Sequence, residues 1–309
     1  MTLLNSSRTL SDALRAISVI KGTKKKMKLV FVDAESTDGS LEMLRDFKNR
    51  NEDAFQLIDI VSQKCDITEG RNICIDRSQG LFVLFVDSDV VISPDLVNDI
   101  EAILLSDLRL AFINVPCVVE EKQKGWLDRF YEVIGEPLGM SCAAIRISAL
   151  HDVGPYFIGF PGGGENPNEL MLRLKRAGYK VTIFNKTSLH IKQKPRGFFG
   201  YVKSSFRSST LHHLQEIRAG NSLLVMKYFY YTMLLSSLFL VVFSPYPLIL
   251  LGMAGVAHYL VKTKGDPISL PALLVGMILP VGLLLWILRG TNWEQKYKKT
   301  TVHNHLDEP

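Results

Sequence analysis

The sequence predicts a doubly wound, mostly parallel α/β domain followed by C-terminal transmembrane helices. Three observations predict it. Apolar runs alternate with amphipathic stretches over the first 120 residues. Two of those runs, 29–32 and 81–86, stop at acids, Asp33 and Asp87. From 223 to 288 the only charged residues are Lys227, Lys262, Lys264 and Asp266.

The runs 29–32 (LVFV) and 80–86 (GLFVLFV) are nearly continuous in apolar residues, as suits strands buried on both faces of a parallel sheet. Helical patterns over 40–50 and 68–78 lie between them. A later apolar segment, 140–147, leads to Gly154, Pro155 and Tyr156. The glycine-rich loop 159–167 follows, and then a helix. Asn166 suits its N-cap, Pro167 its first position and Glu169 its third. That helix stops at Gly178, and a strand over 179–184 precedes Ser188, Leu189 and His190.

Over 198–218, Phe199, Val202, Phe206, Leu214 and Ile217 fall on one arc, flanked by Lys203, Arg207 and Arg218. This predicts a helix lying on a membrane interface. The apolar stretches 228–244, 245–261 and 268–288 compare with the roughly 17–20 residues that a bilayer core requires. The expected organisation is therefore a catalytic domain over 1–197, an interfacial linker over 198–222, membrane helices over 223–290 and a basic tail over 291–309. The N-terminal stretch lacks the basic and apolar regions of a signal peptide, which places the domain on the cytoplasmic side of a multi-pass membrane protein. Three crossings would put Lys296, Lys298 and Lys299 outside, against the positive-inside tendency; two or four would not.

The net charge of +5 is modest. Its basic residues gather near the apolar region rather than in a stripe, which excludes a nucleic-acid binder and points to a membrane surface. The four cysteines form no CxxC pair, as expected of free thiols in a reducing compartment.

In doubly wound sheets ligands bind beyond the carboxyl ends of the strands. Here one strand end carries Asp33, Ala34, Glu35, Ser36, Thr37, Asp38 and Gly39, and the other carries Asp87, Ser88 and Asp89. Two carboxylates two residues apart after a buried strand can bind one hard divalent cation, Mg²⁺ or Mn²⁺, with substrate phosphates sharing the shell.

Further motifs occur in a fixed order: Asn5 with Thr9 and Leu10; the segment 33–39; Gly70, Arg71 and Asn72; Asp87 to Asp89; Arg146 with Val153 to Tyr156; Gly164, Glu165 and Asn166 through Arg173; and Arg176 to Tyr179. In this order they resemble the family 2 glycosyltransferases of GT-A fold, over roughly 1–200. The resemblance implies a nucleotide-diphosphate sugar donor, held by Asn5, Asp33, Glu35, Arg71, Asp87, Ser88, Gly163, Gly164 and Arg173. It implies a divalent metal, Mg²⁺ or Mn²⁺, on Asp87 and Asp89, with His190 as a candidate third ligand. Asn166 stands where the family keeps its catalytic Asp; Glu165 is then the first choice of base and Glu169, which also suits a capping box, the second. Ala34 and Glu35 replace an acid and a glycine of the family's loop, and most of the family's first strand is missing ahead of Leu3. The apolar C-terminal stretches point to a lipid-linked acceptor, a polyprenyl phosphate or lipid-linked glycan, and an inverting reaction. A polysaccharide-extending enzyme and an inactive scaffold are the alternatives.

Overall fold

The computed structural model describes residues 1–22, 24–118, 141–156 and 167–191, together with 226, 228–233, 236 and 253. The chain divides into two units, Met1–Gln123 with Leu138–Lys194, and Lys124–Pro137 with Pro195–Pro309.

The first unit begins with β1 (Thr2–Leu3) and α1 (Ser7–Ser18). Leu10, Leu14 and Ile17 recur at helical spacing in α1 and are all buried, so burial of one stripe fixes this helix. β2 (Lys28–Asp33), α2 (Ser40–Asn51) and β3 (Leu57–Ser62) follow. Strands β1, β2 and β3 form one parallel sheet, with Thr2 opposite Val32 and Val32 opposite Val61.

α3 (Ile67–Asp76) starts at a complete capping box. The Asp66 carboxylate accepts from the Thr68 and Glu69 amides, and the Glu69 carboxylate accepts from the Asp66 amide. Gly70 lies where α3 crosses β1: a Cβ there would sit 2.8 Å from Thr2 Cγ2. β4 (Phe82–Val86), β5 (Val90–Val91) and α4 (Leu96–Ser106) come next, then β6 (Leu110–Asn114) and β7 (Cys117–Val118). α4 buries Leu96, Ile100 and Leu104, one residue per turn.

β8 (Cys142–Arg146), α5 (Ile147–Val153), α6 (Pro167–Arg176), β9 (Lys180–Ile183) and β10 (Ser188–His190) complete the unit. The second sheet has the order β4-β8-β6-β9 and the third β5-β10-β7. The parallel arrangement expected from the sequence holds in the first sheet. In the second, β8 runs antiparallel to both neighbours, β4 and β6, and every residue of β6 and β8 is buried. An antiparallel insertion needs no crossover helix, and the apolar run at 140–147 carries no mark of strand direction.

Buried Arg146 ties this sheet to α4. Its guanidinium donates to the carbonyl oxygens of Leu104, Asp107 and Leu110, at the C-terminal end of α4 and just beyond it. Backbone carbonyls at a helix end lack intrahelical partners, and a cation satisfies them and the helix dipole together.

In the second unit, residues 228–233 are helical, and Tyr230 and Tyr231 place their rings 5.4 Å apart. No helix among the described residues is long and apolar enough to cross a membrane. The stretches 228–244, 245–261 and 268–288 lie outside the described residues apart from 228–233, 236 and 253, and the interfacial helix expected over 198–218 lies outside them altogether.

Replacing Arg146 with Leu should remove about 2–4 kcal/mol of stability, because buried carbonyls lose their donors. Urea denaturation would measure it, with ligand affinity of the folded protein unchanged.

Candidate active site

The site is built at the carboxyl ends of β2 and β4. Asp33 ends β2 and is fully buried. Its Oδ2 accepts from the Ser36 amide at 3.1 Å and from the Ser62 hydroxyl, at the end of β3, at 3.2 Å. Its Oδ1 is buried and has no hydrogen-bond partner among the described residues. An acceptor left in that state costs about 1–3 kcal/mol until a donor reaches it.

The loop after Asp33 is held from the other side by the residues after β1. Asn5 Oδ1 accepts from the Thr37 amide, and Ser36 Oγ accepts from the Asn5 amide, each at 2.9 Å. Asp38 Oδ2 accepts from the Ser7 amide at 2.9 Å, while its Oδ1 accepts from the Ser40 amide and hydroxyl. The Ser6 amide donates to Ser40 Oγ, and Ser88 Oγ donates to Ser6 Oγ at 2.9 Å. One run of hydrogen bonds thus joins the Asp33 loop to Ser88, between the two acids at the end of β4. Asn5 and Glu35 both have positive φ, 51° and 62°. Asn tolerates that region, whereas Glu35 stands strained and exposed, at the position where the resemblance would put glycine.

Asp87 and Asp89 take different partners. Asp87 Oδ1 accepts from Arg71 Nη2 at 2.8 Å; Arg71 is 1% exposed, and its guanidinium lies 5.3 Å from the centre of the Phe85 ring. Burial pushes the Asp87 carboxyl above the ordinary carboxylate range, and the Arg71 charge opposes that push. Asp89 Oδ2 lies 3.1 Å from His190 Nε2. β10 brings His190 there by pairing His190 with Val90, and the Ile191 amide donates to Asp89 O.

No three His, Cys, Asp or Glu side chains among the described residues are grouped closely enough to hold a metal by themselves. The residues nevertheless fit a hard divalent cation that keeps part of its shell for phosphate oxygens. Asp89 and His190 already meet, and Asp87 stands two residues away, engaged by Arg71.

Asn72, beside Arg71, clasps the backbone of Tyr156: Nδ2 donates to its carbonyl and Oδ1 accepts from its amide. Arg173 secures the segment just before. It donates to the carbonyls of Val153, Gly154 and Pro155, and forms a two-pronged pair with Glu169 at 2.7 and 3.0 Å. Glu169 is buried, so this carboxylate faces a guanidinium and not solvent. Gly163, Gly164, Glu165 and Asn166 lie outside the described residues. Asn72 and Ser62 are absent from the sequence-based site; the Gly70, Arg71, Asn72 triplet signalled the first, and nothing local signalled Ser62.

Two outcomes follow from the Asp33 loop. Glu35→Gly should preserve or raise stability, by up to about 1 kcal/mol, because it relieves a left-handed backbone; thermal melting checks this. For Asp38, burial alone would raise the carboxyl, yet hydrogen bonds from Ser40 and Ser7 outweigh it and bring it to about 2. A lowered folded-state value gives stability that is present above the ordinary 3.8 and is lost as pH falls through about 2. The stability gap between the wild type and Asp38→Asn should therefore narrow between pH 4 and 2, roughly the span of the shift, in urea titrations.

Comparison with known proteins places this geometry. The fold matches a mannosyltransferase from Pyrobaculum calidifontis, solved with GDP-Man and Mn²⁺, at a TM-score of 0.62 and 16% identity, over 91% of this chain and 85% of that one. It matches residues 1–349 of TarS from S. aureus, solved with UDP-GlcNAc, at a TM-score of 0.50 and 16% identity, over 69% of this chain and 64% of that one. At such identities the likeness concerns the fold. A curated Staphylococcus aureus relative, a poly(ribitol-phosphate) β-N-acetylglucosaminyltransferase, is 26% identical over 105 residues, 32% of this chain and 17% of its own length. The model of glycosyl transferase family 2 matches residues 1–157, half of the chain, and the chain belongs to that family.

Proposed function

We propose that this protein transfers a sugar from a nucleotide-diphosphate donor to a lipid-linked acceptor, a polyprenyl phosphate or lipid-linked glycan, at the cytoplasmic face of a membrane. The observation that carries the donor half is the hydrogen-bonded run from the Asp33 loop through Asn5 and Ser6 to Ser88. It sets a buried carboxylate with an unused oxygen and a pair of half-buried acids on one rim. The first suits the N–H of a nucleobase, the second a diphosphate with its cation. The neighbours solved with GDP-Man or UDP-GlcNAc support the same donor class.

Asp89 and His190 would hold Mn²⁺ or Mg²⁺, with Asp87 beside them. The bound cation would offset the negative charge that develops on the leaving diphosphate. Arg71 keeps Asp87 ordered and adds a fixed positive charge beneath the same oxygens. The acceptor oxygen attacks the anomeric carbon opposite the leaving group, which inverts its configuration. Glu165 is the base we assign, since Glu169 is paired with Arg173 and such a pair lowers a carboxylate's basicity. A phosphate acceptor would need little help from a base. The uncharged stretches between 223 and 288 support the lipid acceptor and the membrane location.

The test is binding and turnover of a donor panel, including GDP-Man and UDP-GlcNAc, by detergent-purified protein with Mn²⁺, Mg²⁺ or EDTA. One donor should bind in a metal-dependent way. Asp89→Ala should reduce turnover by about 100-fold or more, with thermal melting showing the fold retained. A folded protein that binds no donor would overturn the transferase reading. Transfer to soluble glycan but not to polyprenyl phosphate would replace the lipid acceptor with the polysaccharide-extending alternative.

A further inference from the structure

The two carboxylate oxygens of Asp33 are in opposite states. Oδ2 accepts twice, from the Ser36 amide at 3.1 Å and from the Ser62 hydroxyl at 3.2 Å. Oδ1 accepts from nothing among the described residues, although the side chain is fully buried. A buried acceptor left unmet is costly and calls for a reason. The last torsion of an aspartate is soft, so one donor alone would leave the second oxygen free to swing. Two donors that reach Oδ2 from different directions fix the plane of the carboxylate, and with it the direction of Oδ1.

The two donors come from different parts of the chain. The Ser36 amide belongs to the loop that Asn5 steadies, through the Ser36 hydroxyl and the Thr37 amide. The Ser62 hydroxyl comes from the end of β3. The β2–β3 register puts Ser62 directly opposite Asp33, and residues paired in this way share one face of the sheet. The ladder continues past that point, since the Gln63 amide donates to the Asp33 carbonyl at 3.0 Å. The backbone of Ser62 is therefore held on both sides of the contact. Only rotation about Cα–Cβ and of the hydroxyl hydrogen remains to aim the donor, which makes it a stiff support.

We propose that Ser62 is a positioning residue: its hydroxyl, together with the Ser36 amide, locks Asp33 so that Oδ1 alone meets the nucleobase of the donor and takes one ring N–H. The proposal rests on the sugar-transfer reading and adds to it how the base is selected. Both acceptor sites of Oδ2 are engaged by Ser36 and Ser62, so the base is read by a single bond. Such an acceptor complements the N3–H of uracil or the N1–H of guanine. Cytosine and adenine present a lone pair at the corresponding ring nitrogen, which would face the lone pairs of Oδ1. Without the Ser62 hydroxyl, Oδ2 would keep one donor and the carboxylate plane could turn. The anion would remain, but its aim would be blunted.

The experiment titrates the full-length protein in detergent, with Mn²⁺, against UDP, GDP and their base-methylated forms, N3-methyl-UDP and N1-methyl-GDP. The methyl group replaces the ring hydrogen only. The ratio of dissociation constants for one base therefore reports the contact at that position and cancels any general loss of affinity. The wild type should prefer the unmethylated ligand of the base it uses by about 30-fold. Ser62→Ala should reduce that preference by about fivefold or more. Ser62→Thr, which keeps the hydroxyl, should restore it, with thermal melting showing both variants folded. A residue that merely supported the fold would weaken both ligands alike, so an unchanged ratio in Ser62→Ala would sink the proposal. So would a wild type that binds UDP or GDP without preference, or that binds only ADP or CDP; the transferase reading survives either result. A wild type that binds no nucleoside diphosphate fails at the transferase reading itself, and the role of Ser62 falls with it.

Discussion

The arrangement depends on one buried cation. Arg71 is 1% exposed, and a guanidinium at that depth requires an anion; Asp87 supplies it at 2.8 Å. Breaking such a pair from one side typically costs about 3–5 kcal/mol, since the remaining charge is stranded. The pair therefore fixes how α3 sits against the end of β4. It also sets the adjacent residue, Asn72, against the backbone of Tyr156. Two consecutive side chains of one helix thus govern both the acidic rim and the backbone at Tyr156.

What the sequence revealed was local. Apolar runs located β2 and β4 because both strands are covered by helices. The pattern over 40–50 lies within one residue of α2, Ser40–Asn51. The acids at the two strand ends were visible because strand ends and ligand sites coincide in this architecture. The start of α3 was displaced by one residue, since the capping box at Asp66 and Glu69 decides it and the apolar spacing does not.

Long-range pairings were hidden. Nothing near residue 142 declares that β8 enters antiparallel, because direction is a property of the partner strand. Arg173 carries the same charge as any surface arginine; only the folded chain brings three carbonyls and Glu169 to its guanidinium. Arg146, one element of the motif series, proves to hold the end of α4. Ser62 faces Asp33 because β2 and β3 pair in parallel register, Asp33 opposite Ser62.

The three-stranded sheet β5-β10-β7 gathers segments from far apart in the chain: Val90, Val118 and His190 come together in it. Loop closure over such separations is entropically costly and slow, so contacts of this kind form after the local ones in folding. The corner where Asp89 meets His190 therefore belongs to the late-assembling part of the domain. Its strands are only two or three residues long. A corner of that kind opens more readily than the β2–β3 ladder, and a cation bound there would act as a fastener, making the ion a contributor to the cohesion of the folded rim as well as to its chemistry.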